Sequence, residues 1–259
     1  MEMQTLSRDG TRIGYERTGD GPAVVLVSGA MSTGATMAPL AAELSGRLDV
    51  TVYDRRGRGE SGDTAPYAVE REVEDLAALI EALGGEASLF GVSSGGALAL
   101  RAAAGGLPVR RVAVYEVPYA MDDATARAGA EYRERLTEAL AQGRHGDAVE
   151  LFLRLAGLGE EMIRGARQSP MWAGMESVAP SLAYDDAVMG DNRVPRSEIA
   201  SITCPLLALA GGASDAWWHE AARAIADAAP DGKYGTVEGQ THMVEPGMLA
   251  PVLTEFFAR

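Results

Sequence analysis

One short stretch of the chain has the residue types and spacing of a nucleophile: Phe90-Gly91-Val92-Ser93-Ser94-Gly95-Gly96. In this G-x-S-x-G, Ser93 falls between an apolar run at 87–91, which predicts a buried strand, and an Ala/Leu-rich run at 95–104, which predicts a helix. Serine chemistry needs that shape. The hydroxyl must stand exposed on a tight, strained turn, and flanking glycines leave room for the backbone. The next amide, that of Ser94, would then face a developing oxyanion from a helix N-terminus. A serine also needs a base, and the chain has three histidines. His145 follows Gly143-Arg144 at a predicted helix start and reads as solvated surface. His219 follows Trp217-Trp218 on a predicted helix and reads as packing or surface. His242 comes just after the last predicted strand, in Gly239-Gln240-Thr241-His242.

Two carboxylates could orient that base. Glu116, in Val114-Tyr115-Glu116-Val117-Pro118, ends a predicted buried strand. A carboxylate there is costly unless paired, so the position predicts a partner inside the cleft. Asp215, in Gly212-Ala213-Ser214-Asp215, follows another predicted strand and precedes Ala-Trp-Trp, where it could equally cap a helix. Both strand ends can reach one imidazole, so spacing leaves the choice open.

The elements that must position these groups alternate. Strands are predicted at 11–17, 22–27, 48–53, 87–91, 111–115, 205–210 and 234–238, with helices at 37–45, 69–83, 95–104, 216–229 and 248–257. Strands alternating with helices imply a parallel sheet covered on both faces, with its active site at the carboxyl ends of the strands. The alternation breaks once. From about 118 to 196 the pattern is helical, at 124–141, 147–155 and 160–167, followed by a Trp/Met/Pro-rich stretch at 170–180. This block is expected to be an insertion, or lid, near the site.

Composition narrows the function further. The 259 residues are 47% hydrophobic and 23% charged, enough apolar mass for a sizeable core. A formal charge of −14 repels phosphate backbones and anionic membrane surfaces, so neither nucleic acid nor membrane is expected as a partner. A lone cysteine, Cys204, excludes internal disulfides and Cys-based zinc sites. No apolar run approaches a membrane span, and Met-Glu-Met-Gln leads into no signal sequence, so a cytoplasmic protein is expected. Oligomeric state stays open. There is no G-x-x-x-x-G-K, no dinucleotide fingerprint and no H-E-x-x-H.

The chain resembles the α/β-hydrolase family over nearly its whole length. Ser28-Gly29-Ala30-Met31 stands where the family has its oxyanion loop, although the family's usual His before Gly is Ser28 here. Asp54-Arg55-Arg56-Gly57-Arg58-Gly59-Glu60-Ser61 is similar to the D-x-R-G-x-G-x-S loop, Gly91–Gly95 to the nucleophile elbow, and Gly239–His242 to the late G-x-x-H. The resemblance implies a mostly parallel, doubly wound α/β sheet with a helical lid inserted after the sixth strand. Residues 1–117 and 201–259 would form the core and 118–200 the lid. It implies Ser93 as nucleophile, His242 as base, and the amides of Ala30 and Ser94 as the oxyanion hole, with no cofactor and no metal. Asp215 occupies the family's commoner acid position. Glu116 occupies the one used by a subset that includes haloalkane dehalogenases and a mycotoxin lactonase. The dehalogenase nucleophile is Asp, which Ser93 replaces here. The 54–61 loop is expected to close a turn through an Arg–Asp pair rather than to catalyse.

Met31, Met171, Trp172, Met175 and Trp217 suggest an apolar pocket beside the site. The expected substrate is a small, mainly apolar carboxylic ester or lactone. Rival readings are a non-hydrolytic enzyme on the same fold (a lyase, perhydrolase or biosynthetic cyclase) or a small-molecule receptor.

Overall fold

A computed structural model describes residues 2–258. In chain order the elements are β1 (Glu2–Leu6), β2 (Arg12–Thr18), β3 (Ala23–Val27), α1 (Ala38–Leu44), β4 (Asp49–Tyr53), α2 (Val69–Ala82), β5 (Ala87–Val92), α3 (Ser94–Ala104) and β6 (Val109–Tyr115). Six helices follow without a strand: α4 (Asp123–Ala141), α5 (His145–Leu155), α6 (Glu160–Arg167), α7 (Trp172–Val178), α8 (Leu182–Met189) and α9 (Arg196–Ile199). The alternation resumes with β7 (Leu206–Gly211), α10 (Ala216–Ala228), β8 (Gly232–Val237) and α11 (Pro246–Phe257).

The strands form one eight-stranded sheet in the order β1-β2-β4-β3-β5-β6-β7-β8. The β1–β2 and β2–β4 pairs are antiparallel, and every pair from β4 to β8 is parallel. Because β3, β5, β6, β7 and β8 share one direction, the segments after them leave the sheet from the same edge. That edge is where the candidate residues lie.

The period-two pattern of β3 shows how the layers form. Val25 and Val27 bury into a core with Leu76 and Leu79 of α2, Leu98 of α3 and Ile225 of α10. Val24 and Leu26 bury into the opposite core, with Leu40 and Leu44 of α1 and Leu249, Leu253 and Phe257 of α11. A strand apolar on both faces can be satisfied only with helices on both sides. The helices between β6 and β7 have a third core of their own, built on Leu136, Val149, Leu153, Trp172 and Leu182. Ala30 and Met31, just past β3, pack against it. The block's two ends meet in a bridge between Ala120 and Arg193.

The fold departs from expectation in two places. β1 has no counterpart among the expected strands, because an edge strand with Gln4 and Leu6 exposed carries little apolar pattern. The region after 170 contains two helices, α7 and α8, for which no bounds were read from the sequence. No helix of the described residues is long and apolar enough to cross a membrane.

Candidate active site

Ser93 sits between β5 and α3 with φ +56° and ψ −130°. That backbone region is disfavoured for any residue with a Cβ. Among the described residues four non-glycines have positive φ: Met31, Ser93, Glu116 and Asn192. Three of the four lie at the same sheet edge, past β3, β5 and β6. Strain of about 1–3 kcal/mol per residue persists only where the surroundings over-determine it, and it concentrates at functional sites.

The elbow is held by close backbone approaches that only glycine permits. A Cβ on Gly95 would lie 2.3 Å from the Val27 carbonyl oxygen and 2.5 Å from that of Ser28, and one on Gly91 would lie 2.4 Å from the Gly95 carbonyl oxygen. Helix α3 is thereby drawn against β3, and Gly29 is brought beside Ser93. Gly95→Ala should destabilise the protein by roughly 2–4 kcal/mol, since rigid backbone must move to admit the methyl group. A thermal melt and a urea titration of that variant check this. The first backbone bonds of α3 run from the Gly96 and Ala97 amides to the Ser93 carbonyl, which leaves the Ser94 amide ahead of them at the helix N-terminus.

Glu116 follows β6 directly, with φ +46° and a fully buried side chain. Its Oε2 lies 2.9 Å from His242 Nδ1. Its Oε1 accepts hydrogen bonds from the Gly211 amide at 2.8 Å and the Ser214 hydroxyl at 2.5 Å. Burial alone would raise the Glu116 carboxyl, but the bonds from His242, Ser214 and Gly211 outweigh it and hold the group below its ordinary value. The partner expected for this carboxylate is therefore His242, with two further donors. The carboxylate takes Nδ1, which leaves Nε2 as the nitrogen able to accept a proton.

His242 is fixed from several sides. The Tyr115 hydroxyl donates to the Thr241 carbonyl at 2.6 Å, which ties the loop after β8 to the end of β6. The Ala213 amide donates to the Gln240 carbonyl. Trp218 stacks on the imidazole with ring centroids 4.7 Å apart, and Trp217 stacks in turn on Trp218 at 3.9 Å. The side chain of His242 stays 38% exposed, so a reacting group can reach the ring.

The two acid candidates part here. Asp215 takes the N-cap position of α10, exposed and in extended conformation, without a side-chain cap bond. It is Glu116, not Asp215, that meets the imidazole. His219 serves the scaffold through Tyr234, whose hydroxyl lies 2.8 Å from Nδ1, and through the Ser214 carbonyl, 3.2 Å from Nε2. His145 opens α5.

Three of the five apolar candidates share the helical block's core, and two do not. Met31 and Met175 pack at the margin of the helical block's core. Trp172 is buried inside that core, under Arg167, which makes it a packing residue. Met171 is 72% exposed. Trp217 belongs to the stack over His242.

Sequence reasoning missed the depth of the 54–61 loop. Arg55, Arg56 and Arg58 are all fully buried. Asp54 does close the turn, accepting from the Gly34 and Glu60 amides, but the arginines pair elsewhere. Arg56 meets Asp75 and Asp9. Arg55 meets Glu72 and Asp185, and Arg58 meets Asp185. Three arginines within four residues were a signal of a buried ion network, since arginine's planar fork suits buried carboxylate pairs. Ser214 and Trp218 gave no comparable signal. Among the described residues, no three His, Cys, Asp or Glu side chains are grouped so as to hold a metal ion.

A serine on a strained strand-to-helix elbow, at the carboxyl edge of a mostly parallel sheet with helices on both faces, is the architecture of an α/β-hydrolase fold. Residues 24–252 match the model of the alpha/beta hydrolase family, and the chain belongs to that family. The crystal structure of an alpha/beta hydrolase from Sphaerobacter thermophilus is 52% identical, with a TM-score of 0.90 over 98% of this chain and 100% of that one. The N-formylmaleamate deformylase of Pseudomonas putida is 36% identical over 118 residues, 44% of this chain and 44% of that protein. The polyketide synthase ThaQ of Burkholderia thailandensis is 38% identical over 96 residues, 36% of this chain and 5% of that protein. The chain thus spans less than half the length of these two curated relatives.

Proposed function

We propose that the protein is a serine hydrolase that cleaves a carboxylic ester or lactone of a small, mainly apolar molecule through an acyl-enzyme. The observation that carries this reading is the buried Glu116 carboxylate, 2.9 Å from His242 Nδ1, at the edge that also presents the Ser93 elbow. Ser93 Oγ attacks the substrate carbonyl while His242 Nε2 takes its proton. Glu116 holds the ring in the required tautomer and stabilises the imidazolium. The Ala30 and Ser94 amides receive the oxyanion, each donor worth about 3–4 kcal/mol of transition-state stabilisation. Collapse of the tetrahedral intermediate expels the alcohol, which takes the proton from His242. Water, activated by the same imidazole, then releases the acid. The helices of 118–200 act as a lid, and Met31 and Met175 at its inner margin favour apolar substituents.

The test is a panel of apolar aryl esters and lactones, run with and without hydroxylamine. For two esters that share one acid but differ in alcohol, the expected result is a common hydroxamate-to-acid ratio, because both pass through one acyl-enzyme. Turnover with ratios that differ between the two esters would rule out that intermediate. A protein that binds the panel and turns none of it over would overturn the ester and lactone assignment.

A further inference from the structure

Asp185, on α8, is a buried carboxylate that the mechanism above does not use. Its Oδ1 accepts from Arg55 Nη1 at 2.7 Å and from the Ser94 hydroxyl at 2.8 Å, and its Oδ2 accepts from Arg58 Nη2 at 2.6 Å. The same two arginines continue into the loop after β3. Arg58 Nη1 donates to the Gly29 carbonyl at 2.7 Å and to the Ser32 carbonyl at 3.2 Å, and Arg55 Nη1 donates to the Ser28 carbonyl at 3.3 Å. Glu72 grips the far side of Arg55 with both oxygens, at 2.7 and 2.8 Å.

The grip on Gly29 has a specific consequence. The Gly29 carbonyl and the Ala30 amide belong to one planar trans peptide, in which C=O and N–H point in opposite directions. Fixing that carbonyl on Arg58 therefore fixes the direction of the Ala30 N–H. On the other side of the site, the Ser94 residue whose amide faces the oxyanion is tethered by its own hydroxyl to Asp185. Resting on the hydrolase reading above, we propose that Asp185 is a positioning residue that sets both oxyanion-hole amides, Ala30 through Arg58 and Ser94 directly. Helix α8 then has a defined task. The hole is in register only while α8 of the helical block is seated on the core.

The scale follows from geometry. Donors must lie at hydrogen-bond distance from the oxyanion itself, and a misplacement of about 1 Å can cost about 100-fold in rate. A ground-state ester carbonyl depends less on those donors, so the loss should fall on kcat rather than KM.

The test compares wild type with Asp185→Asn, Ser94→Ala and Asp186→Asn, using an aryl ester and a trifluoromethyl ketone that mimics the tetrahedral adduct, with folding checked by circular dichroism. Asp186 is the control, because it lies on the same helix but pairs with Arg133. Asp185→Asn should lose about 30- to 300-fold in kcat, bracketing the roughly 100-fold cost of misplaced donors, with KM within about threefold. The ketone should weaken in parallel. Ser94→Ala should lose about tenfold in the same pattern, since its backbone amide is kept and only the tether goes. Asp186→Asn should stay within about twofold. A folded Asp185→Asn with kcat and ketone affinity near wild type would overturn the proposal, as would equal losses in Asp185→Asn and Asp186→Asn. If Asp185→Asn does not fold, Ser94→Ala decides, and wild-type kcat and ketone affinity in that variant overturn the proposal. A wild type that turns over no ester and takes no label at Ser93 would instead remove the hydrolase reading, and this proposal with it.

Discussion

Ser93→Ala is expected to lower kcat for every ester or lactone the wild type cleaves by about 10⁴- to 10⁶-fold, leaving the fold intact. Alanine keeps the Cβ, so the steric cost of φ +56° is unchanged, and Tm should remain close to the wild-type value. Only the hydroxyl oxygen that forms the acyl bond is lost. The residual rate would come from the oxyanion amides and substrate binding alone. Substrate binding itself should persist, measurable by calorimetry with a slowly cleaved ester. Undiminished turnover in a preparation free of wild-type enzyme would place the nucleophile elsewhere.

Glu116→Gln should be the second most damaging change, lowering kcat by about 10³- to 10⁴-fold, because the amide cannot stabilise the imidazolium and favours the wrong tautomer. The contrast with Asp215→Asn makes the experiment decisive. Asp215 is exposed at the start of α10 without a cap bond, so its variant should stay within about threefold of wild type. Glu116→Gln also leaves a buried amide in a site built from donors: the Gly211 amide, the Ser214 hydroxyl and His242. A moderate drop in stability should accompany the kinetic loss, of about 1–3 kcal/mol. Steady-state kinetics on both variants, with urea melts alongside, check the pair. Equal mild losses would contradict the assignment of Glu116.

The candidate nucleophile and acid were legible as candidates because their constraints are local. Ser93 needs a glycine-flanked turn between a strand and a helix, and all of that is written within a dozen positions. Glu116 was legible as a candidate for a thermodynamic reason, since a carboxylate ending an apolar strand demands a partner. The choice between Glu116 and Asp215 was not legible. Both follow adjacent parallel strands, and only the folded chain shows that it is Glu116 whose carboxylate meets His242. The sheet was read nearly strand for strand where strands are apolar on both faces, as in β3 to β7, and missed at β1, where an edge strand buries little.

The carboxylate partner of the buried arginines was the hidden part. Asp185 lies 130 positions from Arg55 and 91 from Ser94, on a short helix just beyond the Trp/Met/Pro-rich stretch at 170–180. Nothing local marks such a residue. It could have been suspected only from the arginines, since three of them so close together in a buried loop require carboxylates from somewhere. Trp172 was counted among the pocket candidates for a related reason. Met and Trp at helical spacing serve core packing as readily as binding, and Trp172 turned out to be core.

The most direct test of the central claim is intact-mass labelling of wild type and Ser93→Ala with a fluorophosphonate. This reagent forms a stable adduct only on a serine activated as a nucleophile. A single adduct on wild type, mapped to Ser93 and absent from the variant, is the result predicted by the Ser93–His242–Glu116 arrangement. A folded wild type that takes no adduct, or one that labels equally in the Ser93→Ala variant, would contradict it.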